Sequence, residues 1–181
     1  MAEVFGSNDI GQQDQAHVCN LKLTEGELGI SWHHCSLTSD FIGDFFVASL
    51  KASGHDANEA RHGISYMVNE LLENSVKFRA PSDISVRAAL GDGTFLVTVN
   101  NLIRPETAER FKALLTELLA RDPGELLIER IEQNAADPNS SSSGLGLLTL
   151  MNDYGAQLSW AFEDAGDKGL VRLETQAALP L

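Results

Sequence analysis

At 181 residues, with 43% hydrophobic and 22% charged content, the chain has the composition of one soluble globular domain with a substantial core. Its formal net charge of −13 opposes nonspecific binding to nucleic acid or to an anionic membrane, though a small anionic nucleotide needs only local positive potential. No apolar run approaches the roughly 20 residues of a membrane span, and Met-Ala-Glu-Val-Phe lacks the basic and apolar segments of a signal peptide.

Cys19 and Cys35 are too few for a disulfide scaffold and read as buried thiols, so a cytoplasmic protein is expected. Residues 1–16 are polar and read as a disordered tail, leaving 17–181 as a single domain. Leu21 and Leu23 alternate with polar neighbours, Glu25-Gly26 turns, and Leu28, Ile30 and Trp32 alternate again, predicting a hairpin. His33 and His34 follow as strand-end residues. Neighbours on a strand face opposite ways, so the pair is poorly placed to share a metal. Thr38 or Ser39 caps the next predicted helix, whose Phe41, Ile42, Phe45, Phe46 and Leu50 read as a buried aromatic face.

Asp56 and Glu59 form a capping-box pattern that opens a long helix ending before Pro81. On it Ala60, Ile64, Met67, Val68, Leu71, Leu72 and Val76 recur at core-facing spacing. Glu70, Asn74 and Lys77, at i, i+4 and i+7, make a second stripe beside the apolar one. A carboxylate, an amide and an ammonium in one column suit a proton, a hard cation and phosphate oxygens respectively. The plainer reading is an ordinary solvated helix surface.

Ile84, Val86, Ala88 and Leu90 alternate, Gly91-Asp92-Gly93 turns, and Phe95, Val97 and Val99 alternate back as a second hairpin. It runs into Asn100-Asn101-Leu102-Ile103-Arg104-Pro105. Residues 105–120 read as a proline-opened helix carrying Phe111, Leu114, Leu115, Leu118 and Leu119, and residues 125–133 as a shorter one with Leu127, Ile128 and Ile131. Residues 134–143 are rich in Asn, Asp, Pro and Ser and read as a loop. Gly144 and Gly146 then bring bare backbone N–H groups to the start of a helix over 145–154, a favourable place for an anion. Leu158, Trp160 and Phe162, and after a turn Leu170, Val171, Leu173 and Thr175, complete the last strand pair. Helix groups between antiparallel hairpins predict an α+β fold: a two-layer sandwich of a mixed, mostly antiparallel sheet with helices on one face.

Residues 70–78 and 143–147 together resemble the N box and second glycine box of the GHKL ATPases, which include the anti-sigma-factor serine kinases. With Asp122-Pro123-Gly124-Glu125-Leu126 and Met151-Asn152-Asp153-Tyr154, the resemblance extends to a bacterial regulator group related to the SiaB protein kinase, from about residue 20 to the end. It implies the Bergerat ATP-binding fold, with ATP and Mg²⁺ as cofactors and residues 134–143 as the ATP lid. It further implies that Asn74 is the metal ligand and Glu70 the catalytic residue that orients or deprotonates an acceptor hydroxyl. Lys77 would neutralise phosphate, and Ser142, Ser143, Gly144, Leu145 and Gly146 would hold the phosphate tail. Asn101 takes the place of the adenine-reading Asp of the family's Asp-x-Gly-x-Gly, and Ile103 and Pro105 replace its glycines.

Two functions follow from the resemblance. One is a protein serine/threonine kinase acting on a partner-switching regulatory protein, anti-sigma-antagonist-like or SiaC-like. The other is a catalytically silent module that regulates by binding a partner. A homodimer is compatible with both. No dimerising phosphoacceptor helix pair supports a histidine autokinase, and no Gly-x-Ser-x-Gly elbow supports a hydrolase.

Overall fold

In the hairpin expected at 84–99, Val86 faces Val99 and Ala88 faces Val97, joining β3 (Ile84–Gly91) to β4 (Thr94–Ile103). The chain reverses at Asp92 and Gly93 with φ of 46° and 70°. Only glycine enters that left-handed region freely, with Asp among the more tolerant others. This is a computed structural model, and it describes residues 2–7, 10, 17–26, 29–50, 57–136, 144–166 and 169–181.

The hairpin lies within a six-stranded sheet of order β1-β5-β6-β4-β3-β2, formed with β1 (Glu3–Gly6), β2 (His17–Leu23), β5 (Gln157–Asp164) and β6 (Val171–Pro180). Every neighbouring pair is antiparallel, so the sheet lacks the parallel component that a mixed sheet would have. β4 continues past Val99 because Asn100 to Ile103 pair with Glu174 to Val171 of β6. Its odd-numbered residues are buried and its even-numbered ones half-buried, the signature of a sheet packed on one face.

Five helices supply that packing: α1 (Trp32–Leu50), α2 (Ala57–Phe78), α3 (Pro105–Leu119), α4 (Pro123–Ala136) and α5 (Leu145–Asn152). Ile42 and Phe46 of α1, Ile64, Met67 and Leu72 of α2, Leu115 of α3, Leu126 of α4 and Leu148 of α5 join the odd-numbered β4 residues in one core. The chain is therefore an α+β sandwich. The α2 stripe forms as its spacing predicts, with Val76 half-buried at its edge. Each fully buried side chain of this kind stabilises by about 1.5–3 kcal/mol. Among the described residues no helix is long and apolar enough to cross a membrane.

Several expectations are corrected. Residues 3–6 are not a tail: they pair with β5, and Phe5 packs edge-on against Phe162 at 5.7 Å. Among the described residues β2 does not pair with Ile30 or Trp32, and Leu28 lies outside them. β2 pairs with β3, and Trp32 already belongs to α1. Three alternating residues are a weak strand signal beside the helical spacing of Cys35, Ser39, Ile42, Phe46 and Leu50, all buried. His33 and His34 therefore sit in the first turn of α1, where the Ser31 N–H donates to His34 Nδ1 at 3.0 Å. Thr38 and Ser39 lie within the helix, and Phe41 and Phe45 are 50% and 41% exposed rather than core.

α4 starts earlier than expected because the Asp122 carboxylate accepts from the Gly124 and Glu125 N–H groups, both at 3.0 Å. Its Ile128 and Ile131 are exposed. Residues 134–136 of the expected loop belong to α4, and 137–143, with Ser142 and Ser143, lie outside the described residues, as does Asp56.

Candidate functional site

α2 lies across the buried face of the sheet, and α5 returns beside it. Glu70 and Gly146 meet there: a Cβ at Gly146 would overlap the Glu70 carboxylate. A Cβ there would have to push the end of the Glu70 side chain aside. Gly144 immediately precedes α5 with φ of 95°, and its α-carbon faces Leu118. Leu145 is half-buried against the core.

Glu70 is half-buried, and burial pushes its carboxyl above the ordinary range, with Glu73 adding to the rise. The Tyr66 phenol, one turn back on the same helix, pulls the other way. Tyr66 stacks on Tyr154, with ring centroids 5.2 Å apart and planes 16° apart. Tyr66 was not among the residues singled out from sequence, and Tyr154 entered only through the Met151–Tyr154 segment. Tyr66 stands four residues before Glu70 on the same stripe, and that spacing was the available signal.

Asn74 lines an enclosed cavity of about 20 Å³ together with Ser75, Thr107, Phe111, Leu147 and Trp160. That is room for about one water, whereas small-molecule sites run to roughly 300–1,000 Å³. Lys77 is exposed, with its ammonium 5.1 Å from the Phe78 ring centroid, and does not line the cavity. The column read from sequence thus divides: Glu70 meets Gly146, Asn74 meets the cavity, and Lys77 meets solvent.

Asn101 lies inside β4, not in a loop beyond it, on the helix-facing side between Val99 and Ile103. It is 3% exposed, and among the described residues neither its Oδ1 nor its Nδ2 has a hydrogen-bond partner. Ile103 is a core residue and Pro105 opens α3, so β4 passes into the helix without a glycine loop.

Gly146 stands at a helix start with the Glu70 carboxylate against its α-carbon, and Asn74 lines the cavity. Mg²⁺ commonly takes one or two protein ligands and completes its shell with phosphates and water. Among the described residues no group of three or more His, Cys, Asp and Glu could hold a metal by itself. A purine does not fit the cavity as it stands. No family model matches the chain, and no curated protein matches it.

Proposed function

We propose that this chain is a cytoplasmic bacterial regulator of GHKL (Bergerat-fold) type, transferring phosphate from Mg²⁺-ATP to a serine or threonine of a partner-switching protein. The observation that carries this reading is the Glu70 carboxylate seated against Gly146 at the start of α5. It joins a proton acceptor to an anion-binding helix start, from segments far apart in sequence. A carboxyl raised by burial is a stronger proton acceptor than an ordinary one. Asn74 would hold the metal, the backbone at Gly144 and Gly146 the phosphate tail, and Lys77 would offset negative charge at the rim. Mg²⁺-ATP supplies the transferable phosphoryl group.

The second reading is a catalytically silent module that binds a partner protein. The small cavity and the substitution of Ile103 and Pro105 for the family's glycines favour it. Calorimetric titration with ATP, with and without Mg²⁺, separates the two. The kinase reading expects Mg²⁺-dependent affinity on the order of tens to hundreds of micromolar, since the phosphate half is present and the base half altered. Asn74→Ala should abolish that binding while shifting the melting temperature little, because Asn74 lies beside the core stripe and not in it. Binding by Asn74→Ala equal to the parent's removes the metal role, and no binding by the parent at millimolar ATP leaves the silent module.

A further inference from the structure

α1 buries Cys35, Ile42, Phe46 and Leu50, and its opposite face carries a second, largely apolar stripe that the reading above does not use. His34, Leu37, Phe41, Phe45 and Ala48 are all exposed, and Leu37, Phe41 and Phe45 keep 55%, 50% and 41% of their surface. Spacings of three, four, four and three put the five in one column along the helix. Its rings rest on the core. Phe45 stands edge-on against Phe46 at 5.1 Å, Phe46 stands edge-on against Phe95 of β4 at 5.1 Å, and Phe41 lies 6.1 Å from Phe45. The column contains no Asp, Glu, Lys or Arg. Asp40 and Asp44 flank it, and both pair with Arg61 of α2, at 3.7 and 2.6 Å.

We propose that this column is the seam of a symmetric dimer, in which α1 packs antiparallel on α1 of a second copy with the two-fold axis at Phe41. The spacing of three, four, four and three reads the same in both directions. An antiparallel copy centred on Phe41 therefore sets Phe41 against Phe41 of the partner subunit, Leu37 against Phe45 of the partner subunit, and His34 against Ala48 of the partner subunit. The symmetry makes the last two contacts twice. Rings already held against the core lose little freedom on docking. The area fits a weak pair. Leu37, Phe41 and Phe45 leave on the order of 300 Å² of apolar surface per copy. That is about 600 Å² in the pair, against roughly 900 Å² of apolar area in a standard interface. In this arrangement the Asp40 and Asp44 flank runs along the same flank of the second copy, and Arg61 offsets the charge. Two chains of net charge −13 also repel, so salt strengthens the pair. The seam uses no nucleotide and is independent of the kinase reading.

Sedimentation velocity on the full chain, from micromolar to near-millimolar concentration and at low and high salt, tests the association. A reversible monomer–dimer equilibrium is expected, with a dissociation constant on the order of tens of micromolar at low salt and a severalfold lower one at high salt. Phe41→Glu sets two carboxylates face to face on the axis and should weaken the dimer by about 100-fold. Its melting temperature in dilute solution should stay near the parent's, because Phe41 is half-exposed in the monomer. Cysteine cross-linking under a mild oxidant reads the register, with the parent as control for Cys19 and Cys35. Phe41→Cys should cross-link to itself, whereas Leu37→Cys and Phe45→Cys should cross-link when mixed and little when alone. A chain that stays monomeric at the highest concentration overturns the proposal and leaves the column to a different partner. A dimer that survives Phe41→Glu, or that salt dissociates, also overturns it by placing the interface elsewhere. Leu37→Cys that cross-links to itself as readily as to Phe45→Cys refutes the antiparallel seam.

Discussion

Asn101 offers a measurement in which stability and function should move in opposite directions. Its amide is almost wholly buried on the helix-facing side of β4, its neighbours along that face are Val99 and Ile103, and both of its polar atoms are without partners among the described residues. Leaving a buried polar group unsatisfied costs about 1–3 kcal/mol. Asn101→Val removes both orphaned atoms and supplies a β-branched side chain suited to a strand. Valine already occupies positions 97 and 99 on the same face. A gain of about 2 kcal/mol is expected, which for a domain of this size raises the melting temperature by roughly 4–8 °C. The assay is urea denaturation followed by fluorescence of the buried Trp160, with the denaturant slope compared between parent and variant. A midpoint below the parent's at equal slope would show that the amide is satisfied in the folded protein and would refute the reasoning. Under the proposed function the stabilised variant also binds Mg²⁺-ATP about tenfold more weakly, because the orphaned amide is what the base would satisfy.

Gly146→Ala should push the flexible end of Glu70 aside, offsetting part of the roughly 1 kcal/mol that alanine gains in a helix, and should reduce phosphate transfer. In a Glu70→Ala background the same change should be more stabilising than in the parent, and a double-mutant cycle by thermal melting reads the difference. Glu70→Gln should leave Mg²⁺-ATP binding nearly intact and slow transfer by roughly 10² to 10⁴. It should also be more stable than the parent at neutral pH. Because burial raises the Glu70 carboxyl, the folded parent binds more protons than the unfolded chain. Its stability therefore falls as pH rises from the ordinary carboxylate range through the raised value. Melting both proteins across pH checks the sign: the gap between them should close in acid.

Where a segment carries many periodic residues, its local structure was legible. The α2 stripe and the β3–β4 alternation each repeat often enough that one face is apolar over its whole length, and only one secondary structure can bury such a face. Three alternating residues at 28–32 could not outweigh the helical spacing that follows them, and four residues at the N-terminus carry no period at all. The pairing of β1 with β5 is a long-range choice, made by the open edge of the sheet and the Phe5–Phe162 contact. Composition cannot express that choice.

The residue types of the candidate site were likewise visible in the sequence: Glu70, Asn74 and Lys77 at helical spacing, and Gly144 and Gly146 at a helix start. Tertiary structure alone decided how they are divided. Spacing places three residues in one column, but the width of that column spans a neighbouring helix, a cavity and solvent. Which of these each side chain meets depends on how α5 and the sheet pack against α2. The same packing turned Asn101 from an expected loop residue into a buried one, because the backbone of residues 100–103 finds its hydrogen bonds on β6. Local sequence determines which faces a segment offers, whereas what those faces touch is settled by segments far away in the chain, where the free energy of burial is shared among them.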